Sequence, residues 1–215
     1  IGAALRRVRR DDVVISTKIG RWMDPAAPPS DRSGYAGGLP HGAVIDYSYD
    51  GAMRSFEQTL LAVPAIAQMV DEGYEPPALT LRELSRMPPG SLGHAHATRM
   101  LADGLDPDVI AHNAASKPLD PGEDELARKA RYLTRRRTMT HDIHHTVTGF
   151  GTDLPGEVGV SAVYLAQIHQ PVSLLYLCAV LLHTMPEPEL YGRALHRLQE
   201  GLQMGWAAGN LLAQK

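Results

Sequence analysis

Between Thr148 and Glu157 the chain reads Gly-Phe-Gly-Thr-Asp-Leu-Pro-Gly, and this density of glycine, aspartate and proline obliges a helix to stop and the chain to double back. One helix is therefore expected to end near Thr148, with Glu157 opening the next and facing the first. Just before the turn stands His141-Asp142-Ile143-His144-His145, and Glu157 follows His145 after eleven residues. His141 and His145 are i and i+4, which on a helix stacks them on one face about 6 Å apart, close enough to share an ion. Asp142 lies about 100° further round, and its carboxylate can still curl toward an ion near the N-terminal edge of the pair. His141, Asp142, His145 and Glu157 are thus the candidate metal ligands. His144 points away from the pair and is expected to be solvated.

Two imidazoles with one or two carboxylates suit a divalent metal, zinc first, with iron, manganese or cobalt as alternatives. With no cysteine close by to close a structural zinc site, an open coordination position of the catalytic kind is expected. The plainer alternative is a row of polar residues on the outer face of an amphipathic helix.

Proline and capping residues divide the rest of the chain into helices. Leu79 to Ser85 and Ser91 to Asp103 are predicted helical, the second capped by Ser91, and Pro107 to Ala115 follows with Asp106 as cap. A long helix is expected from Gly122 to Thr148, with Leu126, Ala130, Leu133, Arg137 and His141 near one stripe. Val158 to His169 and Val172 to His183 are separated by Pro171, and Glu187 to Leu212 closes the set. Val172 to Leu182 is the longest apolar run, far short of the about 20 residues that span a bilayer. It reads either as a buried core helix or as one that lines an apolar slot or dips into a membrane interface. Cys178 lies in this run, can form no internal disulfide, and is expected to pack in the core. His94 and His96 face apart on their helix and are expected to be structural or exposed.

A net charge of -3 gives no global basic field, so nucleic acid is not an expected partner. Arg6, Arg7, Arg9 and Arg10 read as a solvated helix face. Arg135, Arg136 and Arg137 lie just before the histidines, where they could guide an anionic headgroup or phosphate to the site.

The segment His141-Asp142-x-x-His145, eleven residues, Glu157 resembles the signature of the fourth coenzyme Q biosynthesis protein, the Coq-four family. Upstream, Arg86-Met87-Pro88-Pro89-Gly90-Ser91-Leu92-Gly93 and Gly104-Leu105-Asp106-Pro107 continue the likeness; downstream it reaches Gly201-Leu202-Gln203-Met204-Gly205-Trp206. It covers residues 62–215, which it marks as an all-helical metal-binding domain. The resemblance implies a protein of ubiquinone biosynthesis acting on a prenylated aromatic or isoprenoid lipid. It also implies a peripheral place on the cytoplasmic side of a bacterial inner membrane, with other ubiquinone-biosynthesis proteins or a second copy as partners. The family is read both as the enzyme that removes the ring carboxyl group oxidatively and as a non-catalytic organiser of the biosynthetic complex.

Residues 1–61 follow another pattern. Asp11 to Arg21 reads as a helix end, a short buried strand at Val13-Val14-Ile15 and a turn, followed from Asp24 to Gly42 by a long irregular connection. Asp46-Tyr47-Ser48-Tyr49-Asp50-Gly51 then starts a helix. The Ser16-Thr17-Lys18-Ile19-Gly20-Arg21 and Asp-Tyr-Ser-Tyr-Asp-Gly segments resemble the aldo-keto reductases, where Lys18 would match the catalytic lysine. That barrel needs eight strands and about 250 residues, so the segment is expected to be an incomplete, inactive βα fragment. A lone βα unit cannot cover both faces of its strand, and residues 1–50 are expected to be mobile or loosely packed. Beginning without methionine, the chain reads as a piece of a longer frame.

If the metal reading holds, the ion would stabilise charge developing on a ring as carbon dioxide leaves, and a weakly bound Glu157 could serve as a proton donor. A third reading is a His-Asp class metal phosphohydrolase. His112 could supply its upstream histidine, but no aspartate follows Asp153.

Overall fold

The computed structural model describes residues 21–24, 42–45, 48–75, 77, 79–105, 122 and 124–214. The expected strand at Val13–Ile15, the helix at Pro107–Ala115, Lys18 and His112 lie outside them, as does the behaviour expected of most of residues 1–50. The chain divides into two compact units, residues 1–58 and 59–215.

In the first unit, β1 (Arg21–Asp24) pairs antiparallel with β2 (Gly42–Ile45), with Trp22 opposite Val44. The sequence had placed a turn at Arg21 and an irregular connection up to Gly42. An antiparallel ribbon is also unlike the parallel pairing of a βα barrel. Helix α1 (Tyr49–Thr59) opens at Ser48, whose hydroxyl accepts from the Gly51 N–H at 3.1 Å.

The second unit is helical throughout its described residues. Its elements are α2 (Pro64–Glu72), α3 (Leu81–Leu84), α4 (Leu92–Ala102), α5 (Glu125–Thr148), α6 (Leu154–Ile168), α7 (Pro171–Thr184) and α8 (Pro188–Ala207). Caps fix most of the starts. Thr80 and Glu83 form a capping box for α3, Ser91 caps α4 as expected, Asp124 caps α5 and Asp153 caps α6. The long helix therefore begins at Glu125 rather than Gly122. The last helix ends at Ala207, short of the expected Leu212.

The core is centred on α6, which is buried on nearly every face through Val158, Val160, Ala162, Val163, Tyr164 and Ile168. Each such aliphatic side chain contributes about 1.5–3 kcal/mol of burial free energy. Its most extensive partner is α8, and the close approach depends on absent side chains. A Cβ on Gly201 would stand 2.3 Å from the Gly159 carbonyl oxygen, and one on Gly205 would stand 2.6 Å from Ala166 Cβ.

Helix α7, one reading of which was a buried core helix, is buried on one side only. Ser173, Leu177, Val180 and Thr184 face inward, whereas Val172, Leu174, Leu175, Leu182 and Met185 are exposed. Cys178 shares the outer face, so the expectation of a core thiol fails. No helix among the described residues is long and apolar enough to cross a membrane.

Candidate metal centre

Helix α5 carries the histidines although its sequence is predominantly polar, because tertiary contacts hold it on several sides. Leu133, Arg136, His144 and His145 are its buried residues, a stripe rotated from the one expected through Arg137 and His141. Its C-terminus is capped by Gly149 in the left-handed region at φ 75°. Arg99 on α4 ties this end down, donating at 2.7 Å to His145 O, which also accepts from the Gly149 N–H, and to Phe150 O just past the helix.

The reversal into α6 is tighter than the sequence suggested. Asp153 accepts from the Gly156 N–H at 3.1 Å, Pro155 sits in the first turn, and the helix is already under way at Leu154, before Glu157. Gly156 is required by the approach of backbone rather than by an unusual torsion, since a Cβ there would lie 1.8 Å from the Gly151 carbonyl oxygen. This turn delivers Glu157 to the histidine face of α5.

One ligand atom each from His141, His145 and Glu157 lie within 4.8 Å of one another. Glu157 Oε2 is 3.4 Å from His141 Nε2, and its Oε1 is 3.2 Å from His145 Nε2. Asp142 does not join this convergence; its Oδ1 lies 3.4 Å from His141 Nδ1, on the other side of that ring. A carboxylate there orients an imidazole whose far nitrogen binds an ion. His145 is 1 % exposed, and neither of its ring nitrogens makes a hydrogen bond, the Glu157 contact being out of line. Of the two, Nε2, which faces Glu157, fits an ion at the centre of the three groups.

The charges of the metal-free cluster are set by the same contacts. Burial opposes a charge on His141, but the Asp142 and Glu157 carboxylates outweigh it and push the imidazole up to about 9. Burial likewise opposes ionisation of Glu157, yet His141 and His145 hold its carboxyl down at about 2. His141 therefore carries the proton and Glu157 is a carboxylate at neutral pH, which weighs against Glu157 as a proton donor.

His144 is not solvated. It is buried, with Nδ1 2.6 Å from the Tyr164 hydroxyl, and burial together with the nearby His141 and Arg136 charges lowers it to about 4. Burial also raises Tyr164, so a neutral phenol donates to a neutral imidazole. His96, expected to be structural or exposed, is buried and bonded through Nδ1 to Thr146 Oγ1 at 3.1 Å; His94 Nδ1 meets Ser85 O at the same 3.1 Å. Sequence reasoning missed Tyr164, whose position eight residues after Gly156 gives no sign of facing the histidines.

A family model described as coenzyme Q (ubiquinone) biosynthesis protein Coq4 matches residues 75–208, which span His141, His145, Glu157 and helices α3 to α8. The chain belongs to the Coq4 family. It is 26% identical over 125 residues to the mitochondrial ubiquinone biosynthesis protein COQ4 of Eremothecium gossypii, covering 57% of this chain and 36% of that protein. With the COQ4 homolog of Rattus norvegicus it shares 32% identity over 97 residues, 45% of this chain and 33% of the relative. A crystal structure provisionally described as a ubiquinone biosynthesis protein of Nostoc punctiforme superposes with a TM-score of 0.58 at 26% identity, covering 76% of each chain. A separate match, 44% identical over 72 residues, is to pyridoxal 4-dehydrogenase of Microbacterium luteolum, covering 28% of this chain and 21% of that enzyme. The chain thus spans between 21% and 36% of the length of the first two curated relatives.

Proposed function

We propose that this Coq4 chain acts in ubiquinone biosynthesis through a divalent metal held by His141, His145 and Glu157, with Asp142 beside them, in the oxidative decarboxylation of a prenylated hydroxybenzoate ring. The observation that carries this reading is the convergence of one ligand atom each from His141, His145 and Glu157 within 4.8 Å of one another, with the buried Nε2 of His145 making no hydrogen bond. Zinc suits two imidazoles and a carboxylate, with iron, manganese and cobalt following the same donor set. When bound, such an ion would supply Lewis acidity toward ring oxygen substituents and would offset negative charge as carbon dioxide leaves, while the two-electron oxidation would be carried by an external oxidant such as dioxygen, since zinc has no redox chemistry. The protein's own groups prepare for it. Asp142 orients His141, Glu157 presents a carboxylate rather than a proton, and Tyr164 with His144 fixes the spacing of α5 and α6.

A second reading, a lipid-binding organiser of the biosynthetic complex without catalysis, is favoured by the outer face of α7. Val172, Leu175 and Leu182 project there into solvent, a surface suited to an isoprenoid lipid or to peripheral contact with a bacterial inner membrane. The early residues are read as an inactive aldo-keto reductase fragment, supported by the match to pyridoxal 4-dehydrogenase.

Elemental mass spectrometry of the purified chain beside a His141→Ala, His145→Ala double variant tests the metal. About one equivalent in the parent and none in the variant is expected of a three-residue site. Turnover of a prenylated hydroxybenzoate by the loaded parent then separates enzyme from organiser. Metal in neither protein would leave the organiser as the better reading.

A further inference from the structure

Three consecutive arginines precede the histidine motif, and their surroundings separate them. Arg135 Nη2 faces Glu75 Oε2 at 3.5 Å. Arg136 is buried, donating to the carbonyl oxygens of Leu212 and Gln214, with its guanidinium 5.5 Å from the centre of the Tyr74 ring. Arg137 does neither. Its guanidinium carbon lies 5.3 Å from the centre of the Tyr164 ring, its buried Nε makes no hydrogen bond, and no carboxylate pairs with it among the described residues. It stands one helical turn before His141, and the two, with Thr138 and Asp142, line a pocket of about 170 Å³.

We infer that Arg137 recognises the carboxylate of an aromatic acid seated in this pocket beside His141. The inference rests on the reading of the neighbouring cluster as a place where such acids are handled. A half-buried guanidinium without a counter-ion is held at a cost, and its planar fork matches a carboxylate with two parallel N–H···O bonds. The tyrosine face beneath the guanidinium restrains its plane without neutralising it, so both outer nitrogens stay available. The pocket's other ionisable walls are His141 and Asp142, and the Asp142 carboxylate repels an acid. Arg137 is therefore the group that makes an anion welcome. The pocket is small and half open, so it takes in the carboxylate end of a ring while the rest of the ring and any polyprenyl tail leave through the open side.

The test is calorimetric titration of the whole chain with 4-hydroxybenzoate and with its neutral counterpart 4-hydroxybenzamide, each with zinc present and after chelation. The parent is compared with Arg137→Met, which keeps the stem and loses the charge, and with Arg137→Lys, which keeps the charge and loses the fork. The acid should bind Arg137→Met about tenfold or more weakly, the effect of losing one charge-assisted contact, and Arg137→Lys to an intermediate degree. The amide should bind all three alike, which also reports an intact pocket. Equal binding of the acid by parent and Arg137→Met, or no preference of the parent for acid over amide, would overturn the inference. Zinc content is read separately. A chain that holds zinc but fails these comparisons keeps the metal site and loses the role of Arg137, whereas Arg137-dependent binding of acid by a chain that takes no zinc does the reverse.

Discussion

Nδ1 of His144 lies 2.6 Å from the Tyr164 hydroxyl, and this contact fastens the helix of the histidine ligands to the helix that carries Glu157. Tyr164→Phe leaves a buried imidazole nitrogen without its donor, which should cost about 1–3 kcal/mol of stability. Because the same contact sets the spacing of the ligands, metal affinity should fall about tenfold, as for loss of an outer orienting group. Thermal denaturation and a metal competition titration report the two effects. Unchanged affinity in a destabilised variant would show that the ligands do not depend on this tie.

Metal uptake should be linked to proton release. His141 is pushed up to about 9 in the metal-free protein, so below that pH the incoming ion must displace its proton. Apparent affinity should then rise about tenfold per pH unit up to about pH 9 and level off above it. Competition titrations between pH 6.5 and 9.5, in two buffers of different ionisation heat, measure both the slope and the proton count. A flat profile would show that His141 carries no proton for the ion to displace in this range.

The metal-free fold should have a pH optimum of its own. Glu157 falls from its ordinary 4.5 to about 2, so its contribution is present above 4.5 and is lost as pH falls toward 2. His141 rises from 6.5 to about 9, so its contribution is present below 6.5 and is lost as pH climbs through 9. Both act between 4.5 and 6.5, but His144, lowered from 6.5 to about 4, takes stability away as pH falls below 6.5, so the melting temperature should peak near pH 6.5. Glu157→Gln should lower that peak and flatten the acid limb. Chemical denaturation across this range gives the curve.

Two glycines of α8 should respond to alanine with opposite signs. Gly201→Ala puts a methyl 2.3 Å from the Gly159 carbonyl oxygen and should destabilise by about 1–3 kcal/mol through overpacking. A Cβ on Gly192 meets nothing within 4 Å, so Gly192→Ala should be neutral or add up to about 1 kcal/mol from helix propensity. Denaturant midpoints of the two variants decide the matter.

Leu175→Glu and Leu182→Glu fall on the exposed face of α7, so each should shift stability by about 0.5 kcal/mol or less. If that face meets lipid, co-sedimentation of the chain with anionic vesicles should fall severalfold in both. Retained vesicle binding would move the lipid surface elsewhere.

The local chemistry of the chain was legible wherever a residue acts on its immediate neighbours. Ser91 as a cap, the stop at Thr148, the helix break just before Pro171 and the meeting of His141, His145 and Glu157 all follow from spacing and turn chemistry. What failed depends on which side of a helix finds a partner. His144 read as solvated because the i, i+4 pair defined one functional face, but α6 covers the adjoining side. Cys178 read as buried because its surroundings in the chain are uniformly apolar, and a uniformly apolar helix carries no periodicity to say which side faces in. The start of α6 was placed late because Pro155 and Gly156 were read as breakers, whereas proline is tolerated in a first turn and Gly156 is small for the sake of Gly151.

That contact between Gly151 and Gly156 makes the segment after His145 a ruler rather than a tether. With α5 stopped at Gly149 and α6 started by Asp153, there is no slack in the eleven residues before Glu157. One residue added after Asp153 would swing the glutamate about 100° around its helix, off the histidine face, while leaving every ligand in the chain. The number of residues in this turn is thus as much a part of the candidate site as the side chains that would hold an ion.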